Sequence, residues 1–227
     1  MVKAILLPVK DPLQAKQRLA DVLSPTERRD LVWAMLTDVS RVLVGCQLAD
    51  RIIVAAHDPE VISYACEMRW EVFREENQIC ESDSVDKVSA LLAEQGVKSV
   101  LRLPVDIPLV REQDVNILLR QASHTPSALL VPSRDGLGTN ALLRTPPDVF
   151  PSKFGRNSFQ RHLEQAQRVC LTPRVMNIPR LALDLDCASD LVEFYPAGEG
   201  TATGDVLQRM KFMDKLLDQS RNAHATS

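Results

Sequence analysis

Three aspartates and a short run of cations are the residues of this chain best suited to chemistry. Asp106 lies in SVLRLPVDIPLV, residues 99–110, a mostly apolar stretch without helical period that reads as a parallel strand buried on both faces. Ile107-Pro108 stops that stretch, and a carboxylate at the carboxyl end of a central strand lies where open α/β sheets bind ligands. The competing reading is that Asp106 merely caps the turn that follows. Asp184 and Asp186 stand two apart in LALDLD, residues 181–186, so in a strand both side chains leave by one face. Two carboxylates ~4 Å apart repel by about 4 kcal/mol at the effective dielectric of a protein site, so a fold that gathers them must supply a cation. Mg²⁺ suits such a set, because it takes one or two carboxylates and fills its other positions with water and substrate phosphates. The alternative is that Asp186 and Asp190 only cap a short helix after Cys187.

The cations are Lys10, Lys16 and Arg18, in a loop after the first strand and at the same carboxyl edge as Asp106 if the sheet is parallel. Such a loop could grip a triphosphate by charge, though basic loops are also commonly just solvated. No G-x-x-x-x-G-K-[ST] occurs, which excludes a P-loop. Two small-residue segments, Gly138-Thr139-Asn140 and Gly155-Arg156-Asn157-Ser158, could let backbone approach a ligand. Ser158, near a helix start and ahead of Arg161 and His162, would expose N–H groups to an anion; turns and caps account for the same residues without function. None of His57, His124, His162 and His224 has metal-ligand spacing to another His or Cys, and no G-x-S-x-G elbow is present, which disfavours zinc and covalent chemistry. His162 is expected on a helix surface or beside substrate.

The elements that must position these residues alternate in type. Strands are expected at residues 4–9, 50–56, 70–74 and 99–106. Helices are expected at 25–44, 59–68, 83–95 and 111–123, the first opened by Ser24-Pro25-Thr26-Glu27 as a capping box and ended by Gly45. Alternation of this kind implies a three-layer, Rossmann-like, mostly parallel sheet with right-handed crossovers. Two pieces, 128–132 and 141–143, leave no room for a helix between them and read as a hairpin or small β excursion beside the sheet. A helix at 157–167, a last strand at 181–186, and helices at 188–195 and 205–217 follow, with 220–227 as a flexible tail. One domain, residues 1–219, is expected.

Composition is that of an ordinary globular chain: 227 residues, 45% hydrophobic and 25% charged, with a net charge of -3 that leaves no basic footprint for nucleic acid. The five scattered cysteines contain no C-x-x-C pair and suit reduced thiols, and no apolar run reaches membrane-spanning length. A cytoplasmic protein without membrane partners is expected. The oligomeric state stays open, with a homodimer among the options.

Five segments in order, AILLPVKDPLQAKQRL (4–19), LPVDIPL (103–109), SRDGLGTNALL (133–143), FGRNSFQRH (154–162) and LDLDCASDL (183–191), resemble the 2-phospho-L-lactate guanylyltransferase family of MobA-like nucleotidyltransferases, which acts in biosynthesis of the deazaflavin coenzyme F420. The resemblance implies a nucleotide-diphospho-sugar transferase fold. It also implies an activity: a three-carbon phosphorylated acid (2-phospho-L-lactate, phosphoenolpyruvate or 3-phosphoglycerate) attacks the α-phosphorus of GTP, gains GMP and releases pyrophosphate. By the same resemblance the Mg²⁺ ligands fall on Asp106 and Asp184, with Asp186 as a further candidate, and the acceptor is held at Thr139, Gly155 and Ser158, near Asn140 and Arg161. Lys10, Lys16 and Arg18 take the GTP phosphates, with Lys16 and Arg18 at the reacting centre. The chain departs from the family pattern at residues 84–88, SVDKV, which leaves the base contact open. Two further readings stand beside this one: transfer to a pterin or sugar phosphate, and a nucleotide-binding regulatory domain without turnover.

Overall fold

A computed structural model describes residues 1–76, 80–122 and 124–225 of the chain. Its centre is β1 (Lys3–Val9), whose KAILLPV sequence is apolar on both faces. Ala4 and Leu6 point to one side, where they meet Val85, Val88 and Leu92 of α3 (Glu81–Glu94). Ile5, Leu7 and Val9 point to the other, into a core shared with α1 (Pro25–Val44), α2 (Pro59–Glu67) and α4 (Glu112–Arg120). Burial on both faces is what a continuous apolar strand needs, and it produces a three-layer α/β/α arrangement.

Among the described residues, seven strands form one sheet in the order β3-β2-β1-β4-β6-β5-β7. β2 (Arg51–Ala56), β3 (Glu71–Arg74) and β4 (Ser99–Arg102) run parallel with β1. β5 (Ser127–Pro132) and β6 (Thr139–Thr145) form the expected hairpin. The hairpin is not an excursion beside the sheet, however. β6 lies antiparallel against β4, with Arg102 opposite Leu142, and all seven of its residues are buried. The hairpin therefore extends the main sheet, covered by α5 (Ser158–Arg168), and the two-residue β7 (Arg174–Val175) closes that edge.

Residues 181–186 form no strand. Pro179 suits the first turn of a helix, and α6 (Pro179–Ala182) takes the start of the segment. Leu183 and Leu185 still point inward, but into a second core built from Leu31, Val32 and Met35 of α1 with α7 (Ala188–Phe194), α8 (Ala202–Arg209) and α9 (Phe212–Ala225). The alternating pattern thus survives without a ladder to join. The helix expected at 205–217 is two helices, because Lys211 adopts a left-handed φ of 52° that interrupts the α-helical path. α9 runs to Ala225 and so takes in most of the segment expected as a tail; residues 226–227, and Ser123 of the expected 111–123 helix, lie outside the described residues. No helix among the described residues is long and apolar enough to cross a membrane.

Local chemistry accounts for the ends of α1. Ser24 Oγ accepts from Glu27 N, and Glu27 Oε2 accepts from Ser24 N, giving the capping box that the sequence suggests. Deep in the same helix, buried Asp38 accepts from Ala202 N (2.8 Å), Thr203 N (2.8 Å) and Thr203 Oγ1 (2.7 Å), and so ties the amino end of α8 to α1. Asp38→Ala leaves those donors buried without a partner, and a destabilisation of about 3 kcal/mol is expected in urea unfolding with unchanged slope. A loss below ~1 kcal/mol would show that the α1–α8 contact is held by apolar packing alone.

Candidate active site

Chain ends and loops at the carboxyl edge of β1 and β4 build a cleft of about 1010 Å³, at the upper end of ligand-pocket sizes. After β4 the chain stays extended, with Leu103 N donating to Leu6 O, and delivers Asp106 four residues beyond the strand proper. The backbone of Asp106 then does what a ladder would have done for the late aspartates. Its carbonyl accepts from Leu185 N at 3.0 Å and draws residues 184–186 alongside. With Leu183 and Leu185 inward, Asp184 and Asp186 face the cleft, and ligand oxygens of Asp106, Asp184 and Asp186 all lie within 4.8 Å of one another.

The charge on this cluster is answered by Lys16. Its Nζ donates to Asp106 Oδ2 at 2.7 Å and to Asp186 Oδ1 at 2.6 Å. Lys16 adopts a left-handed backbone (φ 55°, ψ 40°) ahead of a 3-10 turn at Gln17–Leu19, a conformation that costs an L-residue roughly 1 kcal/mol. Burial works against the charged amine, but Asp106 and Asp186 outweigh it and raise the Lys16 pKa. Burial likewise works against ionised Asp106, and Lys16 overcomes it to hold that carboxyl below its usual range. Asp184 has no such cation among the described residues. Burial, reinforced by the charge of Asp106, pushes it up to about 6 against the hydrogen bond from Asn140.

Asn140 and Thr139 reach the cleft because β6 is antiparallel to β4, which brings its amino end to the carboxyl edge of the parallel strands. Asn140 Nδ2 lies 2.8 Å from Leu181 O, 3.1 Å from Ala182 O and 3.0 Å from Asp184 Oδ1, so it fixes the late aspartate segment to the sheet. Thr139 Oγ1 lies 3.0 Å from Nδ1 of His162. Because Nε2 of that ring accepts from Lys153 N at 2.8 Å, Nδ1 carries the proton and donates to the threonine oxygen. The Thr139 hydroxyl hydrogen is thereby left free for another acceptor. His162 is thus buried beneath the site, not on a helix surface, and burial together with Arg102, Arg144 and Arg161 lowers its pKa to about 3.

Gly155 and Ser158 also line the cleft. Gly155 has a φ of +98°, which a side chain at that position would resist. The first two N–H groups of α5 are already engaged and not open to an anion as expected. Ser158 N donates to Gly155 O and Phe159 N to Leu137 O. Arg161 is exposed and lines, with Glu164, an adjoining groove of about 390 Å³ that shares Leu137, Arg156 and Asn157 with the main cleft. Lys10 and Arg18 border the cleft and make no ion pair among the described residues.

Helix capping after Cys187 falls to Asp190, which accepts from Asp186 N (3.0 Å) and Cys187 N (2.9 Å); Asp186 is left to Lys16. Of residues 84–88, Ser84, Val85 and Val88 are buried, while Lys87 is exposed and pairs with Asp83. Asp86 accepts from Arg144 Nη1 (2.9 Å) and Ser152 N, and within α3 it is Glu81 that borders the cleft. Arg102 is a site residue that motif reading passed over. It pairs with Glu81, lies 4.2 Å over the Phe154 ring, and reaches Thr139 O and Asn140 O at 3.3 Å. An arginine inside an otherwise apolar strand was the available signal.

The family described as guanylyl transferase CofC like matches residues 3–225, and the chain belongs to it. It is 34% identical over 215 residues to a 2-phospho-L-lactate guanylyltransferase of Methanobrevibacter ruminantium, covering 90% of each chain. It is 36% identical over 193 residues to a phosphoenolpyruvate guanylyltransferase of Rubrobacter xylanophilus, covering 85% of this chain and 93% of the other. Among solved structures, a putative nucleotide-diphospho-sugar transferase from Desulfovibrio desulfuricans superposes with a TM-score of 0.75 at 18% identity, over 92% of this chain and 95% of that one. A nucleotidyl transferase from Methanothermobacter gives a TM-score of 0.63 at 15% identity, over 87% and 97% respectively. The fold is therefore that of the nucleotidyltransferases.

His162 provides a pH test of the site's construction. Its folded pKa lies below the unfolded value, so its contribution to stability is complete above about pH 6.5 and is lost as pH falls toward 3, at up to about 1.4 kcal/mol per pH unit. His162→Gln is expected to flatten the fall in stability between pH 6 and pH 4, measured by urea unfolding at each pH. An identical slope in both proteins would show that the imidazole titrates normally.

Proposed function

We propose that this member of the guanylyl transferase family joins GMP from GTP to a three-carbon phosphorylated acid and releases pyrophosphate, as a step in biosynthesis of coenzyme F420. The observation that carries the reading is the meeting of Asp106, Asp184, Asp186 and Lys16 in one cleft, bordered by Lys10 and Arg18 on one side and by Thr139, Gly155 and Ser158 on the other. 2-Phospho-L-lactate, phosphoenolpyruvate and 3-phosphoglycerate share a phosphate and a carboxylate on three carbons, and the first two are named in the relatives. The catalytic unit is proposed to be a single nucleotidyltransferase domain.

The donor set fits a divalent cation. Three carboxylates converge, and Asp106 Oδ1 is buried with no hydrogen-bond partner among the described residues. Asp106, Asp184 and Asp186 would hold Mg²⁺, which when bound neutralises phosphate charge and orients phosphoryl oxygens. The chain's own residues supply the rest. Lys16, Lys10 and Arg18 face the phosphates of GTP and offset the charge of the departing pyrophosphate. Thr139, with its hydroxyl hydrogen freed by His162, donates to the acceptor, and Gly155 allows backbone approach. The acceptor's phosphate oxygen is already anionic and attacks the α-phosphorus; the new P–O bond forms as the bond to the β-phosphate oxygen breaks. No general base is required, and among the described residues no histidine or cysteine joins the three carboxylates within 4.8 Å.

Purified protein is expected to release pyrophosphate from GTP and Mg²⁺ with 2-phospho-L-lactate, phosphoenolpyruvate or 3-phosphoglycerate. Asp106→Asn should lower turnover by about 10³-fold or more with the fold intact. Silence with all three acids, together with release on a pterin or sugar phosphate, would replace the acceptor. GTP binding that is equal in wild type and Asp106→Asn, without turnover in either, would replace the enzyme with a binding domain. Divalent cation affinity, measured by calorimetry, is expected to fall by up to about tenfold per pH unit below 6, because Asp184 must give up its proton to ligate. Affinity independent of pH from 5 to 7.5 would remove Asp184 from the ligand set.

A further inference from the structure

Lys16 does more here than wait for a phosphate. Its amine bonds to two of the three candidate ligand carboxylates, at 2.7 and 2.6 Å, and its side chain is only 8% exposed. A divalent cation on those same oxygens would bond at about 2.1 Å, and two positive centres cannot share them at such range. The amine has somewhere else to go. Lys16 stands at the wall of a large open cleft on a flexible four-carbon stem, with Lys10 and Arg18 along the same loop.

We propose that Lys16 is a resident counter-ion of the carboxylate cluster, which a divalent cation must displace from Asp106 and Asp186 before it can seat. The inference rests on the reading of these aspartates as cation ligands. While no cation is bound, Lys16 compensates the gathered carboxylates and keeps the cluster assembled. When the cation arrives, the displaced amine is freed toward the cleft, where a nucleotide phosphate would receive it. Cation and nucleotide then bind with positive coupling, since each offers a partner to a group that the other sets free. The cation alone binds below its intrinsic affinity, because the competent state, with Lys16 withdrawn, is a minor one.

The test uses Mn²⁺ as the probe, without nucleotide. Titration of wild type and Lys16→Gln, followed by the paramagnetic resonance of free Mn²⁺, is expected to give binding about tenfold or more tighter in the variant. Equal or weaker binding by folded Lys16→Gln, or binding by neither protein, overturns the proposal. A second measurement needs no variant. In wild type, acylation of the Lys16 amine, read by peptide mass spectrometry, is expected to be slow without Mn²⁺ and several-fold faster at saturating Mn²⁺. Labelling that Mn²⁺ does not change also overturns it. Either failure in a protein that still releases pyrophosphate from GTP would reject the counter-ion role and leave the proposed reaction standing. Tighter Mn²⁺ binding by Lys16→Gln, where wild type itself releases no pyrophosphate from GTP with any acceptor, would do the reverse.

Discussion

The structure of this site depends on one electrostatic problem, the gathering of three carboxylates into a space under 5 Å across, and on its local solution by Lys16. Buried charges persist where they are paired and hydrogen-bonded, and a buried pair contributes organisation more dependably than net stability. Here the pairing spans the chain. Lys16 comes from the loop after β1, Asp106 from beyond β4 and Asp186 from ahead of α7. The left-handed backbone at Lys16 and the hydrogen bond from Leu185 N to Asp106 O are the local costs and supports of bringing them together.

Around that cluster a second tier of contacts sets direction. Asn140 anchors the Asp184 segment, and His162 holds Thr139 with its proton on a defined ring nitrogen. Both Asn140 and Thr139 come from the amino end of β6, so the single antiparallel neighbour of β4 is what completes the cleft. Arg102 braces the same corner from below, stacked on Phe154 and paired with Glu81. Thr139 and Asn140, set by the end of a strand, hold their geometry better than loop residues would.

The carboxy-terminal helices belong to this construction too. Val32 and Met35 of α1 line the cleft on one side and pack into the second core with α7, α8 and α9 on the other. Asp38, buried on the same helix, receives the amino end of α8. The terminal segment thereby supports one wall of the cleft, although none of its residues after Asp190 faces it among those described.

Much of this was legible in the amino-acid sequence alone, where the determinant is local. Continuous apolar runs marked β1, β2 and β4, Ser24 and Glu27 marked the start of α1, and segment order marked the family. Asp106, Asp184, Asp186 and Lys16 could be singled out because a buried strand end and a repeated aspartate are patterns along the chain. What lay between those residues could not be read there. That LALDLD is no strand was decided by Pro179 and by which core Leu183 and Leu185 join, a question of distant partners. That β6 enters the middle of the sheet, that His162 is buried, and that Ser158 N–H is already bonded all follow from contacts between segments far apart in sequence. Sequence determines which groups are present and what local conformations they favour; only the tertiary structure determines which charge meets which, because Coulomb and hydrogen-bond energies depend on distances that packing sets.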